Sequence, residues 1–163
     1  ELREFEIDEG GAVCRVRDLG MCAALKDPDL GELAGIMTEV SYPAGQVLFG
    51  EGEPADALYN VTGGAAKVYK LMPDGRRQIT GFLLQGDVLG LSRDGRYACS
   101  AETVGRMTAC RYLHRRFDAL VERFPYLRRR LHEDAVDELV EAQAHMMLLG
   151  RKTAVERVAS FRL

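Results

Sequence analysis

The sequence contains no tryptophan, only 3 histidines and 5 prolines, and its aromatic residues amount to 7% of 163 positions. The histidines, His114, His132 and His145, are scattered, and two lie in or beside one helical run. No His-x-His strand pair is present, which argues against a cupin-type metalloenzyme, whose site needs clustered imidazole and carboxylate ligands. Positive charge is not in excess either: 22 Lys and Arg against 25 Asp and Glu leave a formal net charge of -3. The chain therefore has no field of its own for a polyanion, and any nucleic-acid contact has to be local or supplied by another part. No apolar run approaches the length of a membrane span, and the start carries no signal-peptide pattern, so a cytoplasmic location is expected. There is no initiating Met, and Val155, Val158, Ala159 and Leu163 still follow helical spacing at the end. The expectation is a fragment cut before a further domain.

What is present includes a long helical stretch from Leu127 to Leu149, opened by Pro125. Leu131, Ala135, Leu139, Ala142, Met146 and Leu149 recur at the steps of a helix stripe that packs on another helix. Arg128, Arg129, Glu133, Asp137 and Glu141 occupy the other faces, which reads as wet on one side and covered on another. A terminal helix packed on its own domain, a parallel dimer helix, and a spine to a further domain all fit this pattern. Nearer the start, Asp27-Pro28-Asp29-Leu30 reads as a helix opening with Asp27 as N-cap. Leu30, Leu33, Ala34 and Met37 supply its apolar face.

From Glu39 the texture changes to short strands punctuated by turn residues. Strands are predicted at about 46–49, 57–61, 65–71, 78–84, 88–91, 97–104 and 108–113. Met72-Pro73-Asp74-Gly75-Arg76 has the content of a hairpin connection. Many short strands with no helices between them predict an antiparallel β-roll or jelly roll, so the fold class is α+β, with flanking short helices and the long helix after the roll. The predicted interior holds Val47, Phe49, Leu58, Val61, Val68, Ile79, Phe82, Leu84, Val88, Leu91 and Val104.

Four cysteines, Cys14, Cys22, Cys99 and Cys110, are an even number that would suit disulfides in a secreted protein, but no signal peptide supports that setting. In a reducing compartment they read as buried small hydrophobes, reactive thiols or metal ligands. The seven residues between Cys14 and Cys22 are not a zinc spacing.

Several stretches carry a family resemblance. Val47-Leu48-Phe49-x-Glu51-Gly52-Glu53, Leu58-Tyr59-x-Val61-x-x-Gly64, Gln78-Ile79-Thr80-Gly81-Phe82, Gly86-Asp87-x-x-Gly90 and the helix ending Met146-Met147-Leu148-Leu149 resemble the cyclic AMP receptor-like regulators. Within them the similarity is to the anaerobic iron-sulfur branch and its nitrogen-fixation relatives. The resemblance implies a sensory β-roll, a dimerisation helix and a helix-turn-helix domain that binds palindromic DNA and works with RNA polymerase. It divides the chain into an arm and helix with cluster cysteines (1–38), the roll (39–114), a short and a long dimerisation helix (115–150) and the start of a link (151–163). Thr153 to Phe161 resembles the first helix leading into the DNA-binding part.

Nucleotide-binding members of the family carry a Gly-Glu pair after the Gly-Asp turn and an Arg-Ser or Arg-Thr soon after, because a buried cyclic phosphate needs convergent donors and a cation. Here no Glu follows Gly90, and neither Arg93 nor Arg96 precedes Ser or Thr. No cyclic nucleotide is expected, and Arg96 reads as a solvated loop residue. The iron-sulfur members instead imply a [4Fe-4S] cluster in the anaerobic form, held here by Cys14, Cys22 and Cys110. Where the family often has a further cysteine this chain has Gly11, so the fourth ligand falls to Cys99 or to an oxygen of Asp8, Glu9 or Asp18. The resemblance also implies a homodimer through the stripe from Leu131 to Leu149, with Glu138 and Glu141 flanking the seam. The alternative is a clusterless member answering thiol oxidation at Cys14 or Cys22, another small ligand, or abundance; a haem relative with an axial His or Cys is the third reading.

Overall fold

The computed structural model describes residues 20–92 and 94–151. A short 3-10 turn, Gly20–Ala24, leads into helix α1, Asp27–Gly35. Asp27 lies inside that helix and Lys26 flanks it without a side-chain cap, so the predicted N-cap is displaced by one residue. Eight strands follow: β1 Met37–Tyr42, β2 Val47–Phe49, β3 Ala57–Gly63, β4 Ala66–Leu71, β5 Arg77–Leu83, β6 Val88–Leu89, β7 Ser100–Thr103 and β8 Met107–Leu113. Helix α2, His114–Arg123, and helix α3, Pro125–Arg151, complete the described chain. Phe124 between them is extended, as a residue before proline must be, and Pro125 then occupies a first helical turn that needs no N–H from it.

The strands form two antiparallel sheets, β1-β8-β3-β6 and β2-β7-β4-β5, which make the predicted roll. Strand β1 is a departure from the sequence reading, which put Met37 on the helix. Its six residues pair in full register with β8, from Met37 opposite Tyr112 to Tyr42 opposite Met107, and the alternating Thr38, Val40 and Tyr42 suit a pleated surface. The β4–β5 hairpin closes as its residues predict. Gly75 takes a φ of 82°, Asp74 Oδ1 accepts the Arg76 amide at 3.0 Å, and the Met72 amide donates to the Arg76 carbonyl at 2.8 Å.

The first sheet is covered on both faces. Ala57, Tyr59 and Val61 of β3 face the roll interior with Phe49, Ala66, Leu89, Tyr97, Ala101, Met107 and Ala109. Leu58, by contrast, joins Cys110, Tyr112, Met21, Cys22, Leu33, Phe117, Leu120 and Leu127 in a second cluster under the helices. The strand thus reads as a continuous buried run, the mark of a sheet sandwiched between two layers. The second sheet is covered on one face only. Val47, Ile79, Phe82, Leu84, Leu91 and Val104, predicted as core, are exposed, Phe82 at 54%. Val47 on β2 and Ile79 and Phe82 on β5 lie on the two edge strands of that sheet, and Leu84, Leu91 and Val104 lie just past strand ends; alternation alone does not say whether a second face has a cover.

That outer face is polar where it is best organised. Glu102 accepts from Lys67 Nζ at 2.8 Å and from Arg77 at 2.7 Å, and the Arg77 guanidinium lies 4.8 Å from the centre of the Tyr69 ring. Above all the bond from Lys67 holds the Glu102 carboxyl below its ordinary range, and Arg77 adds to this. A carboxyl so depressed stabilises the fold fully above its unfolded pKa of about 4.3 and loses that contribution as pH falls through the folded value. Glu102→Gln should therefore cost a few tenths to about 1 kcal/mol at neutral pH and nothing in acid, read from urea midpoints across pH. Leu127→Ala in the covered cluster should cost about 2–5 kcal/mol, whereas Ile79→Ser on the open edge should stay within about 0.5 kcal/mol; the same titrations check both.

Candidate functional site

Two places in the fold correspond to the two ligand readings, and they lie on opposite faces of the first sheet. The first is the loop after β6, where a cyclic nucleotide would need its phosphate held. Leu91, Ser92, Asp94, Arg96 and Ala98 line an open hollow there. The cation of its described lining is committed to a backbone group, since Arg96 donates to the Gly52 carbonyl at 2.6 Å. Arg96 is exposed, as expected of a loop arginine, but it works as a tie between two loops.

Behind the loop the roll is filled by aromatic rings. Tyr97 stacks on Phe49 with centroids 3.8 Å apart, and Phe49 in turn faces Tyr59 at 6.2 Å. The Tyr97 hydroxyl accepts from the Ala57 amide at 3.2 Å and donates to the Ala57 carbonyl at 2.7 Å, so one side chain bonds both backbone polar groups of a buried residue. Tyr42 meets the edge of Tyr59, and burial, with Tyr59 beside it, pushes its hydroxyl up to about 12. These rings fill part of the roll interior. Gly90 lets the loop come this close. Its φ is 87°, and a Cβ there would sit 2.9 Å from the Ala57 carbonyl oxygen.

The second place is the outer face of the same sheet. By the parity of β3, Asn60 points the way Leu58 does, away from the roll interior, and it is fully buried at 0%. Cys110 stands directly opposite Asn60 in the β3–β8 ladder. Asn60 Nδ2 donates to Cys22 Sγ at 3.6 Å, while Asn60 Oδ1 is buried with no hydrogen-bond partner among the described residues. Cys22, 2% exposed, and Cys110, 3% exposed, belong to one cluster with Met21, Phe117 and Leu127. The turn that carries Cys22 also packs on α3. The structure thus brings Cys22 and Cys110 together around one amide.

Cys99 is not with them. It sits half-buried just before β7 in the other sheet, where burial pushes its thiol up against the opposing pull of Lys70. Among the described residues no three His, Cys, Asp or Glu side chains are grouped to hold a metal ion, a test that Cys22, Cys99 and Cys110 would meet if they converged. With four cysteines in the chain, a four-thiolate set therefore does not fit. Cys14, Asp8, Glu9 and Asp18 lie outside the described residues, as does the stretch from Thr153 to Phe161. Sequence reasoning missed Asn60 and Tyr97. A polar residue in the apolar run Leu58-Tyr59-Asn60-Val61 was the available signal for the first.

Helix α3 divides along its length. Leu127 and Leu131 serve the chain's own cluster. Beyond them Ala135, Leu139, Ala142 and Met146 are exposed, joined by Val136 and Val140, which the predicted stripe omitted. Leu149 is on the described backbone, but its side chain is outside the described set. No helix among the described residues is long and apolar enough to cross a membrane.

A roll of two four-stranded sheets, a loop after the sixth strand and a long terminal helix define a sensory module of known class: the chain belongs to the cyclic nucleotide-binding domain family, whose pattern matches residues 39–124. Its homologues are transcription regulators. It is 41% identical over 150 residues to the nitrogen fixation regulation protein FixK of Bradyrhizobium diazoefficiens, covering 92% of this chain and 63% of that one. It is 42% identical over 148 residues to the transcriptional activatory protein AadR of Rhodopseudomonas palustris, covering 91% and 62%. The solved structure of FixK2 from Bradyrhizobium japonicum matches with a TM-score of 0.72 at 40% identity, covering 77% of this chain and 64% of that one. The chain therefore spans less than two thirds of the length of these relatives.

If Tyr97 closes the roll as described, Tyr97→Phe should cost about 1–3 kcal/mol by stranding the Ala57 peptide. Gly90→Ala should cost at least as much through its positive φ and the approach to Ala57. Chemical denaturation of both variants checks this.

Proposed function

We propose that this chain is the sensory and dimerisation region of a bacterial transcription regulator of the FixK kind, answering oxygen or redox state through thiols of its N-terminal turn. One observation carries the reading: the turn holding Cys22 packs at once against the sheet face that carries Cys110 and against helix α3. Chemistry at that sulfur changes what α3 rests on, and a shift of a few kcal/mol is enough to move a monomer–dimer balance. The exposed apolar residues of α3 support the second half of the reading. Ala135, Leu139, Ala142 and Met146, with Leu149 in line, would form the homodimer seam, while Leu131 anchors the helix to its own roll.

In this reading residues 1–38 are the responsive arm, 39–114 the roll, 115–150 the helices that carry the signal, and 151–163 the start of the link onward. The whole protein would bind palindromic DNA through a further domain and act with RNA polymerase in the cytoplasm. The names of FixK and AadR support the regulatory role.

A second reading keeps an iron-sulfur cluster. The convergence of Cys22 and Cys110 favours it, with Cys14 as third thiolate and a carboxylate oxygen of the arm completing four ligands. Such a group would supply oxygen sensitivity. Against it stands Asn60, whose amide nitrogen already bonds the Cys22 sulfur that iron would need.

The two readings part under anaerobic purification and reconstitution with iron and sulfide. The thiol reading expects a protein without the visible iron-sulfur absorption, whose dimer fraction changes with oxidant. A brown species that bleaches in air and is lost in Cys22→Ser would replace it with the cluster reading. In the same protein, Leu139→Glu should weaken dimerisation roughly tenfold or more, seen by sedimentation, because it places a charge at the centre of the apolar seam.

A further inference from the structure

We propose that Cys22 and Cys110 form a reversible dithiol–disulfide pair oxidised by peroxide, with Asn60 as the residue that positions the attacking sulfur. The proposal deepens the thiol reading above and rests on it for its regulatory meaning. It starts from the orphaned oxygen. A buried amide oxygen without a donor is rare in a folded protein, and its cost calls for a role. Asn60 Oδ1 belongs to the same amide whose Nδ2 reaches Cys22 Sγ, so it lies within one amide width of that sulfur. The amide donates to the thiol and carries a free acceptor next to that donor.

That pair of groups matches the first oxidation product. The Cys22 sulfur, as thiolate, attacks one peroxide oxygen; an S–O bond forms, the O–O bond breaks, and the departing hydroxide takes a proton to become water. The product is a sulfenic acid, whose O–H supplies the donor that Asn60 Oδ1 lacks among the described residues, while its sulfur keeps the Nδ2 bond. The Cys110 sulfur, opposite Asn60 in the ladder, then attacks the Cys22 sulfur. An S–S bond forms, the S–O bond breaks, and hydroxide leaves with the Cys110 proton as a second water. Two thiols lose two electrons and the peroxide gains them. Cys22 is assigned the first step because it sits in a five-residue 3-10 turn, which can open locally, whereas Cys110 is held in the ladder of β8 between β1 and β3. The disulfide would bind the turn to β8 and so change how the turn supports α3.

The experiment treats the whole chain with hydrogen peroxide, alkylates it under denaturing conditions without reductant, and maps its peptides by mass. A Cys22–Cys110 link short of two hydrogens, removed by reductant, is expected. Full alkylation of both thiols, or a link from Cys22 to Cys14 or to a second chain instead, overturns the proposal. In Cys110→Ser a dimedone adduct should collect on Cys22; an adduct on Cys99 alone overturns the order of attack. Asn60→Leu should slow the peroxide reaction of Cys22 about tenfold, because the developing S–O–H group loses its Oδ1 acceptor, while slowing alkylation by iodoacetamide, which makes no such group, far less. Equal or faster reaction with both reagents would mean that Asn60 only packs, and would remove its positioning role. A disulfide that forms and leaves the dimer fraction unchanged supports the pair and sinks the regulatory reading. An oxidant-dependent dimer fraction with no disulfide does the reverse.

Discussion

The structure depends on the wedge made by Met21 and Cys22. A five-residue turn pushes two nearly inaccessible side chains into the space between the outer face of the first sheet and the start of α3. Without it Leu58, Cys110 and Tyr112 would lose their cover from the arm, and Leu127 would lose one of its neighbours. At about 25 cal/mol per Å² of apolar surface removed from water, covering such a patch is worth several kcal/mol, comparable with the whole stability of a small domain. The small turn is thus part of what the start of a 27-residue helix rests on.

The roll itself is built to stay shut. Tyr97, Phe49 and Tyr59 occupy its interior, and the loop after β6 is tied down by Tyr97 to Ala57 and by Arg96 to Gly52. A family fold known for its nucleotide-binding members here spends its interior on its own side chains. Cys22 and Cys110 lie on the opposite face of the same sheet, where alternate residues of β3 and β8 face the helices. One sheet thus separates a closed roll from a thiol pair, and β3 contributes to both by simple parity.

The charged contacts hold the periphery. Arg123 clasps Glu32 with two bonds of 2.6 and 3.0 Å, joining α2 to α1, and Arg129–Glu133 and Arg130–Asp134 run along α3. Each is exposed enough to contribute little alone. Their effect is to orient elements whose apolar faces do the binding, and they leave the distal part of α3, with Val136, Leu139, Val140 and Met146, bare for a partner helix.

Much of this was written in local residue choice. The hairpin around Asp74-Gly75, the strand run, the opening of α3 at Pro125 and the roll class all follow from turn chemistry and periodicity, which act between residues near in sequence. What only the tertiary structure decided is which faces are covered and which distant residues meet. Ile79 and Phe82 have the apolar character of core residues yet lie on an open edge, because their exposure depends on what stands across from them. Asn60 reads as an interruption of an apolar strand until the ladder sets it opposite Cys110 and the turn sets Cys22 on its amide. Spacing along a chain determines the direction of a side chain; only the packing of separate elements determines what it finds there.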